Sequence, residues 1–515
     1  MKLFKLKYFF PIIILIFTLL SHGINLFNYP VFLGDEGIYS FQAWWLVGLG
    51  KLGPYTYWYD HAPFGWFLLG LWQRLTFGPF SFGFSLNSGR ILMVVLASLG
   101  SLGIYYLVKN LTKNKYLGLF SSFVFAISPL AIFYHRMILL DNIETFFLIF
   151  SLLFLFKAKK RGLYFLLSGI FYGLAFLSKE IVIFLLPSYV LALFWQSKGK
   201  NQNYTRFLCL SAAFFIILFL PLLALLRGEL FPSAWFGGKE HVSLIETILF
   251  QLSRGSGSRP WQPYSYFSQS LVKWLDHGSF LFLAGLWAMI VNLFNFKKDK
   301  PSFLFSLFSL NYLLFLARGS FILDFYIIPL LFFFSVNISL ALRSIYEEFK
   351  LIKKLKPFYP ILALVFCFWL GYSSLYLFTT KVTGNQTEVV NYIKNNLPEE
   401  SVILVDDFAF LDIRLKRNNN DKAFPRVEWY SKAEDDPQIR EEELKNDWRN
   451  VDFLMIDDYI EKGMASGKMP FLEKVFKNST LVKEFSSGEE KRGGIRVSLF
   501  KVDSKNKGFE EFIKN

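Results

Sequence analysis

Long apolar stretches recur over the first three quarters of the chain, separated by short segments rich in lysine or in aromatic residues. A helix needs about 20 residues to cross the roughly 30 Å hydrocarbon core of a bilayer. The pattern predicts a polytopic α-helical membrane protein with about eleven transmembrane helices. Their apolar stretches lie near residues 8–27, 89–108, 116–134, 142–156, 162–178, 181–196, 207–226, 279–296, 302–317, 321–342 and 360–379.

The pattern changes near residue 381. The runs VILVDDFAF and VDFLMIDDYI are short and β-like, and charged stretches such as QIREEELKNDW have a helical composition. Residues 381–515, called the tail below, are therefore predicted to form a small soluble α/β domain. Residues 1–380 are the predicted membrane domain, with two long outer loops at 28–88 and 227–278 that are rich in Trp, Tyr, Gly and Pro.

Composition agrees with a bilayer environment, since 53% of the residues are hydrophobic, 20% aromatic and only 18% charged. Of the net charge of +15, the membrane domain carries +18 and the tail −3. Alternate loops hold 21 of the 32 basic residues of the membrane domain, which marks them as cytoplasmic. We therefore expect an integral plasma-membrane protein with a cytoplasmic N-terminus and an extracytoplasmic tail. The basic loops suit anionic membrane lipids, and nucleic acid is rejected as a partner.

Most acids of the membrane domain are predicted to lie on the outer side. A charge at bilayer depth costs roughly 2.5 to 3.5 kcal/mol, so carboxylates in tight loops between apolar spans need a reason to be there. A shared polar site is the simplest reason. The outer acids are Asp35, Glu36, Asp60, Asp141, Glu144, Glu180, Glu229, Glu240, Glu246, Asp276 and Asp324.

The sharpest motif among them is GDEG at residues 34–37, directly after the first span. The same loop continues as YWYDHAPFG at residues 57–65. An acidic pair followed by an acid, a His or Lys, a proline element and a hydrophobic run resembles the GT-C glycosyltransferases. The likeness is to the protein O-mannosyltransferase and aminoarabinose-transferase-like families, although Ala62 stands where they commonly have a first proline. The resemblance implies a GT-C fold over residues 1 to about 380, with the tail similar to the outer domain of some members.

Three further segments extend this resemblance. YHRMILLD at residues 134–141 places Arg136 five residues before Asp141, between the third and fourth spans. GLAFLSKE at residues 173–180 ends the fifth span with Lys179. Residues 318–329 place Asp324 and Tyr326 before a span that contains a proline. The resemblance therefore brings acids and cations together at the outer ends of several spans.

These groups suit the transfer of a sugar from a polyprenyl-phosphate donor to a protein, lipid or glycan acceptor. A carboxylate takes the acceptor proton as general base, and fixed cations stabilise the leaving phosphate as a metal would. One base without a carboxylate nucleophile predicts inversion at the sugar carbon. The predicted catalytic residues are Asp35 as base, with Glu36 and Asp141; the donor-phosphate ligands are Arg136, Lys179, Arg318 and His61; and the substrate contacts are Asp60, Asp324 and Tyr326.

Most of these residues also have a structural alternative, and for Asp35 it is an ordinary loop acid beside a turn marked by Gly34. The alternatives are helix capping by Glu36 and Asp141, interfacial snorkelling by Arg136, Arg318 and Asp324, and an exposed ion pair between Lys179 and Glu180. Asp60 with His61 supplies only two ligands for a divalent metal, so a metal is possible but no cofactor is predicted to be required.

A transporter or lipid flippase is the main alternative function, and a scaffold for an outer complex is a third. Transporters carry midplane charges and paired broken helices from inverted repeats, whereas here the charges gather at outer span ends and no repeat is evident. There is no nucleotide-phosphate loop. Cys209 and Cys367, both in apolar runs, support neither a disulfide framework nor a thiolate metal site. The sequence therefore favours the enzyme.

Overall fold

The computed structural model describes residues 2–50, 53, 59–158, 161–197, 201–236, 242–254, 258–296, 298–349, 358–436, 439–465, 467–486 and 493–503. Some residues named in the sequence predictions lie outside these ranges. The residues concerned, which lie outside the described ranges, are Tyr57 and Trp58 of the outer-loop motif, the outer-loop acid Glu240, and the inner-loop lysines Lys159, Lys160, Lys198, Lys200, Lys297, Lys350, Lys353, Lys354 and Lys356.

The membrane domain folds into helices, and each predicted apolar stretch overlaps one helix or two consecutive ones. Short 3₁₀ turns at Glu180–Leu185 and Asp324–Ile327 lead into two of them. The helices are α1 (Lys2–Gly23), α2 (Gly34–Ala43), α3 (Phe64–Leu75), α4 (Ser85–Thr112), α5 (Lys115–Ile127), α6 (Pro129–His135), α7 (Leu140–Lys157), α8 (Gly162–Ser178), α9 (Leu186–Gln196), α10 (Gln202–Ile217), α11 (Phe219–Leu226), α12 (Leu244–Ser253), α13 (Tyr266–Phe294), α14 (Lys300–Leu316), α15 (Ile328–Phe349) and α16 (Phe358–Ser373).

Several of these helices suit a bilayer by length and composition. Among the described residues, four segments are long and apolar enough to cross it: Ser85–Thr112, Gln202–Leu226, Tyr266–Phe294 and Asp324–Glu348. The pair α5 and α6, bent by 63°, is a fifth if it is one span. Pro129 begins the second half of that pair and cannot continue the helical hydrogen bonding, which accounts for the bend. The protein is thus a helical membrane protein, and the number of eleven spans stays a prediction.

Buried polar side chains join three of the helices. Asn292 of α13 donates to the side-chain oxygen of Asn337 on α15 at 3.0 Å, and Ser306 of α14 donates to the same oxygen at 3.0 Å. The amide of Asn337 donates to Ser309 at 2.8 Å. Interhelical hydrogen bonds of this kind hold helices together where lipid supplies no hydrophobic driving force. They fix α15 below the outer turn that carries Asp324.

The tail folds into a mixed sheet with helices. The strand order is β2-β1-β3-β5-β4, in which β1 runs parallel to β2 and β3, and β5 runs antiparallel to β3 and β4. The two β-like runs seen in the sequence contain β1 and β3. The elements are α17 (Gly384–Asn396), β1 (Ile403–Val405), α18 (Asp407–Arg414), β2 (Val427–Trp429), α19 (Tyr430–Asp435), β3 (Phe453–Asp457), α20 (Asp458–Ala465), α21 (Pro470–Lys477), β4 (Ser479–Phe485) and β5 (Val497–Val502).

The tail packs directly on the first outer loop. Gln386 of α17 accepts from the backbone N–H of Phe32 at 2.8 Å and donates to its carbonyl at 2.9 Å. Asp412 of α18 accepts from the backbone N–H of Ser85, the first residue of α4, at 3.1 Å. The ring of Phe408 lies 6.2 Å from that of Phe32. These contacts fix the segment that leads into α2, so the tail supports the loop that holds the acidic pair.

Candidate active site

Asp35 lies in the first turn of α2 with a partly buried side chain. Its carboxylate makes no hydrogen bond or ion pair with any residue that the structure describes. Burial raises the pKa of Asp35, and the charge of Lys179 opposes that rise most strongly, followed by His61 in its protonated form. The carboxylates of Asp141 and Asp324 add to it. Four predicted site residues therefore influence the electrostatics of the Asp35 carboxylate, which has no hydrogen-bonding partner among the described residues. They are Lys179, His61, Asp141 and Asp324.

Glu36, the second acid of the pair, is fully buried and has a structural part. Arg90 of α4 donates to both of its oxygens, at 2.9 and 2.6 Å. The backbone N–H groups of Leu33 and Ile138 donate to it as well, at 3.2 and 2.9 Å. The site role predicted for Glu36 does not fit this geometry, because its acceptor positions are already used. The helix-capping alternative fits, since the bond from Leu33 closes the start of α2.

Lys179 and Asp141 form a buried ion pair at the C-terminal end of α8 and the N-terminal end of α7. The ammonium donates to the Asp141 carboxylate at 2.7 Å, and both side chains are 1% exposed or less. The same nitrogen lies 4.0 Å from the centre of the Tyr326 ring, a cation–π contact. Asp141 makes no capping bond to its own helix. Three predicted site residues therefore meet in one cluster, and Lys179 pairs with Asp141 rather than with Glu180.

His61 and Asp60 are held by different neighbours. The His61 ring has Nε2 3.3 Å from the Tyr39 hydroxyl and Nδ1 3.4 Å from the Glu180 carboxylate. Asp60 accepts a long hydrogen bond of 3.5 Å from Gln251 of α12. Burial raises the pKa of Asp60, and His61 opposes that rise most strongly. His61 is thus part of a hydrogen-bonded chain that includes Tyr39 and Glu180.

Arg136 lies apart from this cluster and is fully buried. Its guanidinium donates to the backbone carbonyls of Ser21, His22, Ile24 and Leu377, at distances of 2.7 to 3.1 Å. Arg136 therefore caps the C-terminal end of α1, where the last backbone carbonyls have no hydrogen-bonding partner within the helix. The donor-phosphate role predicted for Arg136 does not fit this geometry, because its N–H donors already bond to the backbone.

Arg318 and Asp324 lie on the outer turn before α15. Arg318 donates to the carbonyls of Phe315 and Phe321 at 2.9 and 3.3 Å, and its guanidinium carbon lies 4.0 Å from the centre of the Phe315 ring. It thus holds its own turn together. Asp324 accepts from Lys273 of α13 at 3.1 Å while its charge reaches Asp35, which places it at the edge of the cluster.

The tail also faces Asp35. Asp406 caps α18 by accepting from the backbone N–H of Phe408 at 3.2 Å, and Asp407 begins the helix. Burial raises the pKa of Asp407 well above its usual range, with further contributions from Asp406 and then Asp35. Burial lowers the pKa of Lys432, which the acids of the tail and Asp60 oppose. The outer wall of the site is therefore built by the tail.

Sequence reasoning missed Tyr39, Glu180 as a partner of His61, and the residues of the tail. Tyr39 follows Asp35 by four residues on a helix, and residues at that spacing share a face, so its position was a usable signal. Nothing in the sequence marks Asp407 or Lys432 as neighbours of the first loop, because docking of the tail depends on tertiary contacts.

A metal centre does not fit the residues present. Within the described ranges, no group of three or more His, Cys, Asp or Glu side chains is arranged to hold a metal ion. The acids near Asp35 are instead accompanied by Lys179 and Lys432.

A family model described as dolichyl-phosphate-mannose-protein mannosyltransferase matches residues 60–224. The match includes His61, Arg136, Asp141 and Lys179, and it begins after Asp35. No curated protein matches the chain.

Solved structures match almost the whole chain at low sequence identity. ArnT from Cupriavidus metallidurans, bound to undecaprenyl phosphate, is 14% identical with a TM-score of 0.62, and the match covers 95% of this chain and 97% of ArnT. The Archaeoglobus fulgidus oligosaccharyltransferase in the apo form is 14% identical with a TM-score of 0.57, covering 92% and 73%. The oligosaccharyltransferase AglB of the same organism, in complex with an inhibitory peptide and a dolichol-phosphate, is 16% identical with a TM-score of 0.54, covering 95% and 74%.

The chain therefore has the fold of the GT-C membrane glycosyltransferases. The family model over residues 60–224 and this fold together confirm the predicted resemblance to the protein O-mannosyltransferase and aminoarabinose-transferase-like families, and both agree with the predicted enzyme class of glycosyltransferase.

Proposed function

We propose that this protein transfers a sugar from a polyprenyl-phosphate donor to an acceptor at the outer face of the membrane, with Asp35 as general base. The observation that carries the proposal is the Asp35 carboxylate, which has no partner among the described residues and lies beside the buried Lys179–Asp141 pair. A free carboxylate next to a fixed cation is what attack on a sugar phosphate requires.

Asp35 takes the proton of the acceptor hydroxyl or amine while that atom attacks the anomeric carbon. Its raised pKa makes the carboxylate a stronger base than an exposed aspartate, provided that it is ionised at the working pH. No second carboxylate is needed as a nucleophile, so the sugar is transferred with inversion. Glu36 has no part in this step, since Arg90 and two backbone N–H groups occupy it.

Lys179 stabilises the phosphate that leaves the sugar. Asp141 and the ring of Tyr326 hold its ammonium in place, so no reorganisation is needed as negative charge develops. Arg254, directly after α12, lies within electrostatic range of Tyr326 and Asp60 and is a further cation that could contact the phosphate. Arg318 and Asp324, on the turn before α15, border the same region.

The donor lipid and the side of transfer are parts of the same proposal. ArnT and AglB are solved with undecaprenyl phosphate and dolichol-phosphate, and this chain shares their fold. Apolar side chains of α10 and α11 such as Phe207, Phe215 and Leu226 are exposed and suit contact with lipid tails. With eleven spans, the acidic loop and the tail both lie outside. The acceptor is a protein, lipid or glycan that reaches this face.

The proposal is tested with purified protein in lipid vesicles. The vesicles receive one radiolabelled polyprenyl-phosphate sugar at a time. Peptide, lipid or glycan acceptors are added on the side of the vesicle membrane that the tail faces. We expect at least one donor to give labelled acceptor of inverted configuration, with and without EDTA. Transfer from a nucleotide sugar but from none of the lipid donors would contradict the proposed donor class, and loss of transfer in EDTA would contradict a mechanism that uses side chains alone.

A further inference from the structure

A chain of hydrogen-bonding groups runs from the buried side of α2 towards the outer water. It consists of Tyr39, His61 and Glu180, joined by contacts of 3.3 Å from the hydroxyl to Nε2 and 3.4 Å from Nδ1 to the carboxylate. The three side chains become more exposed along it. Tyr39 is 4% exposed, and the side chains of His61 and Glu180 are 21% and 30% exposed. The chain therefore leads from the protein interior to solvent.

Glu180 sets the orientation of this chain. One of its oxygens faces His61 Nδ1, and the other accepts from the backbone N–H of Ala62. A carboxylate at Nδ1 favours the tautomer in which that nitrogen carries the proton, which leaves Nε2 to accept from the Tyr39 hydroxyl. A proline at position 62 would have no N–H to offer, so the alanine found in this sequence makes the second bond possible.

Tyr39 connects this chain to the base. It follows Asp35 by one helical turn on α2, so both side chains leave the same face of the helix. No hydrogen bond joins the two side chains, but among neighbouring charges Asp35 acts most strongly on the Tyr39 hydroxyl. With its own proton donated to His61, the Tyr39 oxygen keeps lone pairs that can accept a proton from the direction of Asp35.

We propose that Tyr39 and His61, held by Glu180, carry the acceptor proton away from Asp35 after each transfer, an inference that rests on the glycosyl transfer proposed above. The O–H bond of protonated Asp35 breaks as a bond forms from that proton to the Tyr39 oxygen. The original Tyr39 proton forms a bond to His61 Nε2. The imidazolium, stabilised by the Glu180 carboxylate, releases its Nδ1 proton past that carboxylate to water, which leaves the proton on Nε2. Exchange with water then removes the Nε2 proton and returns one to Nδ1, which restores the starting tautomer with no further change in the number of protons. Asp35 is ionised again, and one proton has left the site.

The proton must leave Asp35 after each transfer, because Asp35 acts as the base only while it is ionised. The neighbouring cation Lys179 is already bonded to Asp141 and has no lone pair, so it cannot take the proton. A phosphate or acceptor bound over Asp35 also keeps bulk water from it. The hydrogen-bonded chain gives this proton a route through side chains that become more exposed from Tyr39 to Glu180.

Pre-steady-state kinetics separate this relay from a structural role. Tyr39→Phe keeps the ring and its packing and removes only the hydroxyl. We expect the first transfer in each enzyme molecule to proceed within about twofold of wild type, followed by turnover slowed at least tenfold, which appears as a burst. His61→Ala should slow the later turnovers as well, and added imidazole should restore them. Ala62→Pro should give a weaker burst.

Tyr172→Phe is the matched control, since it removes a buried hydroxyl that donates only to the carbonyl of Val182 at 3.0 Å. It should show neither burst nor slow turnover. The relay is overturned if Tyr39→Phe turns over at the wild-type rate, or if it slows the first transfer as much as the later ones. Imidazole that fails to restore His61→Ala also counts against it. Absence of transfer by the wild-type protein would be a failure of the proposed function and not of the relay.

Discussion

Two neighbouring carboxylates of the first outer loop have opposite environments. Glu36 is buried and bonded on both oxygens, whereas Asp35 has no hydrogen-bonding partner among the described residues. Desolvating a carboxylate is costly, and Glu36 is tolerated because Arg90 and two N–H groups replace its water. The Asp35 carboxylate has no such partners, so its desolvation costs stability. A role in catalysis would explain why this cost is tolerated. Glu36 thus holds the loop in place, whereas Asp35 is left available for the role proposed for it.

The ion pair of Lys179 and Asp141 can be tested with a charge-balanced variant. Lys179→Met alone leaves a buried charge without a partner and should cost about 3 to 5 kcal/mol of stability. The double variant Lys179→Met/Asp141→Leu removes both charges and should unfold near the wild-type temperature, yet transfer sugar about 10² to 10³ times more slowly if Lys179 stabilises the leaving phosphate.

Asp141→Asn is the companion variant, since it keeps Lys179 and should retain turnover within about tenfold of wild type. Thermal unfolding in detergent and labelled-sugar transfer measure the two effects. A double variant that transfers normally would remove Lys179 from the phosphate site, and a thousandfold loss in Asp141→Asn would make Asp141 a candidate for the base.

Sequence patterns predicted which segments lie near one another, but not which contacts each side chain makes. Asp35, Asp141, Lys179 and Tyr326 come from distant segments, and all four were predicted because outer span ends meet at one face of a helical bundle. Arg136 has a sequence context as suggestive as theirs. Its donors bond to the carbonyls at the end of α1 instead, and side-chain orientation of that kind is set by tertiary packing.

At the scale of elements, α2 and α18 approach each other unusually closely. A Cβ at Gly37 would collide with the backbone carbonyl of Asp407, which cannot rotate away. Gly37→Ala should therefore push the tail from α2, destabilise the protein by about 1 to 3 kcal/mol and lower transfer by roughly tenfold. Limited proteolysis of the tail and transfer assays measure the two effects.

Gly384→Ala in the tail is the control for this variant, because a Cβ there meets nothing within 4 Å. It should match the wild type in both assays. A Gly37→Ala protein with wild-type activity and protease resistance would contradict the view that the tail forms part of the site.

The tail should also become less stable as the pH rises. Burial raises the pKa of Glu428 on β2 to about 7, although Arg414 lies 3.5 Å away. The folded state therefore binds this proton more tightly than the unfolded chain, and stability falls as the pH rises from about 4.5 through 7. Glu428→Gln cannot ionise, so it should reduce that decline by on the order of 1 to 3 kcal/mol. Thermal unfolding between pH 5 and 8 measures it, and equal slopes for both proteins would contradict the prediction.

For the whole molecule, the helices were predictable from the sequence, whereas the packing of the tail on the first loop was not. Apolar runs of about 20 residues specify helices in a bilayer whatever surrounds them, and each predicted run overlaps a helix. The β-like runs of the tail were equally readable. Contacts such as Gln386 to Phe32 join residues far apart in sequence and leave no periodic pattern. A tail predicted as a separate soluble domain therefore proved to be packed against the first loop.

Membrane topology is tested with single cysteines in a protein whose Cys209 and Cys367 are replaced by alanine. Phe77→Cys, 98% exposed in the first outer loop, and Tyr459→Cys, 72% exposed in the tail, should react with an impermeant thiol reagent added outside intact cells. Lys159→Cys should react only after the membrane is opened. Labelling of the tail from the cytoplasmic side alone would contradict an odd number of spans and an outer site.

The central claim is that Asp35 is the base and Glu36 a structural residue, and a paired substitution tests it most directly. Asp35→Asn keeps the shape of the side chain but cannot accept the proton, so turnover should fall by roughly 10² to 10⁴ while unfolding stays within about 1 kcal/mol of wild type. Glu36→Gln should instead lose about 3 to 5 kcal/mol of stability, because Arg90 is left buried without its partner. The measurement is sugar transfer per folded molecule for both variants. An Asp35→Asn protein that transfers sugar at the wild-type rate would contradict the account.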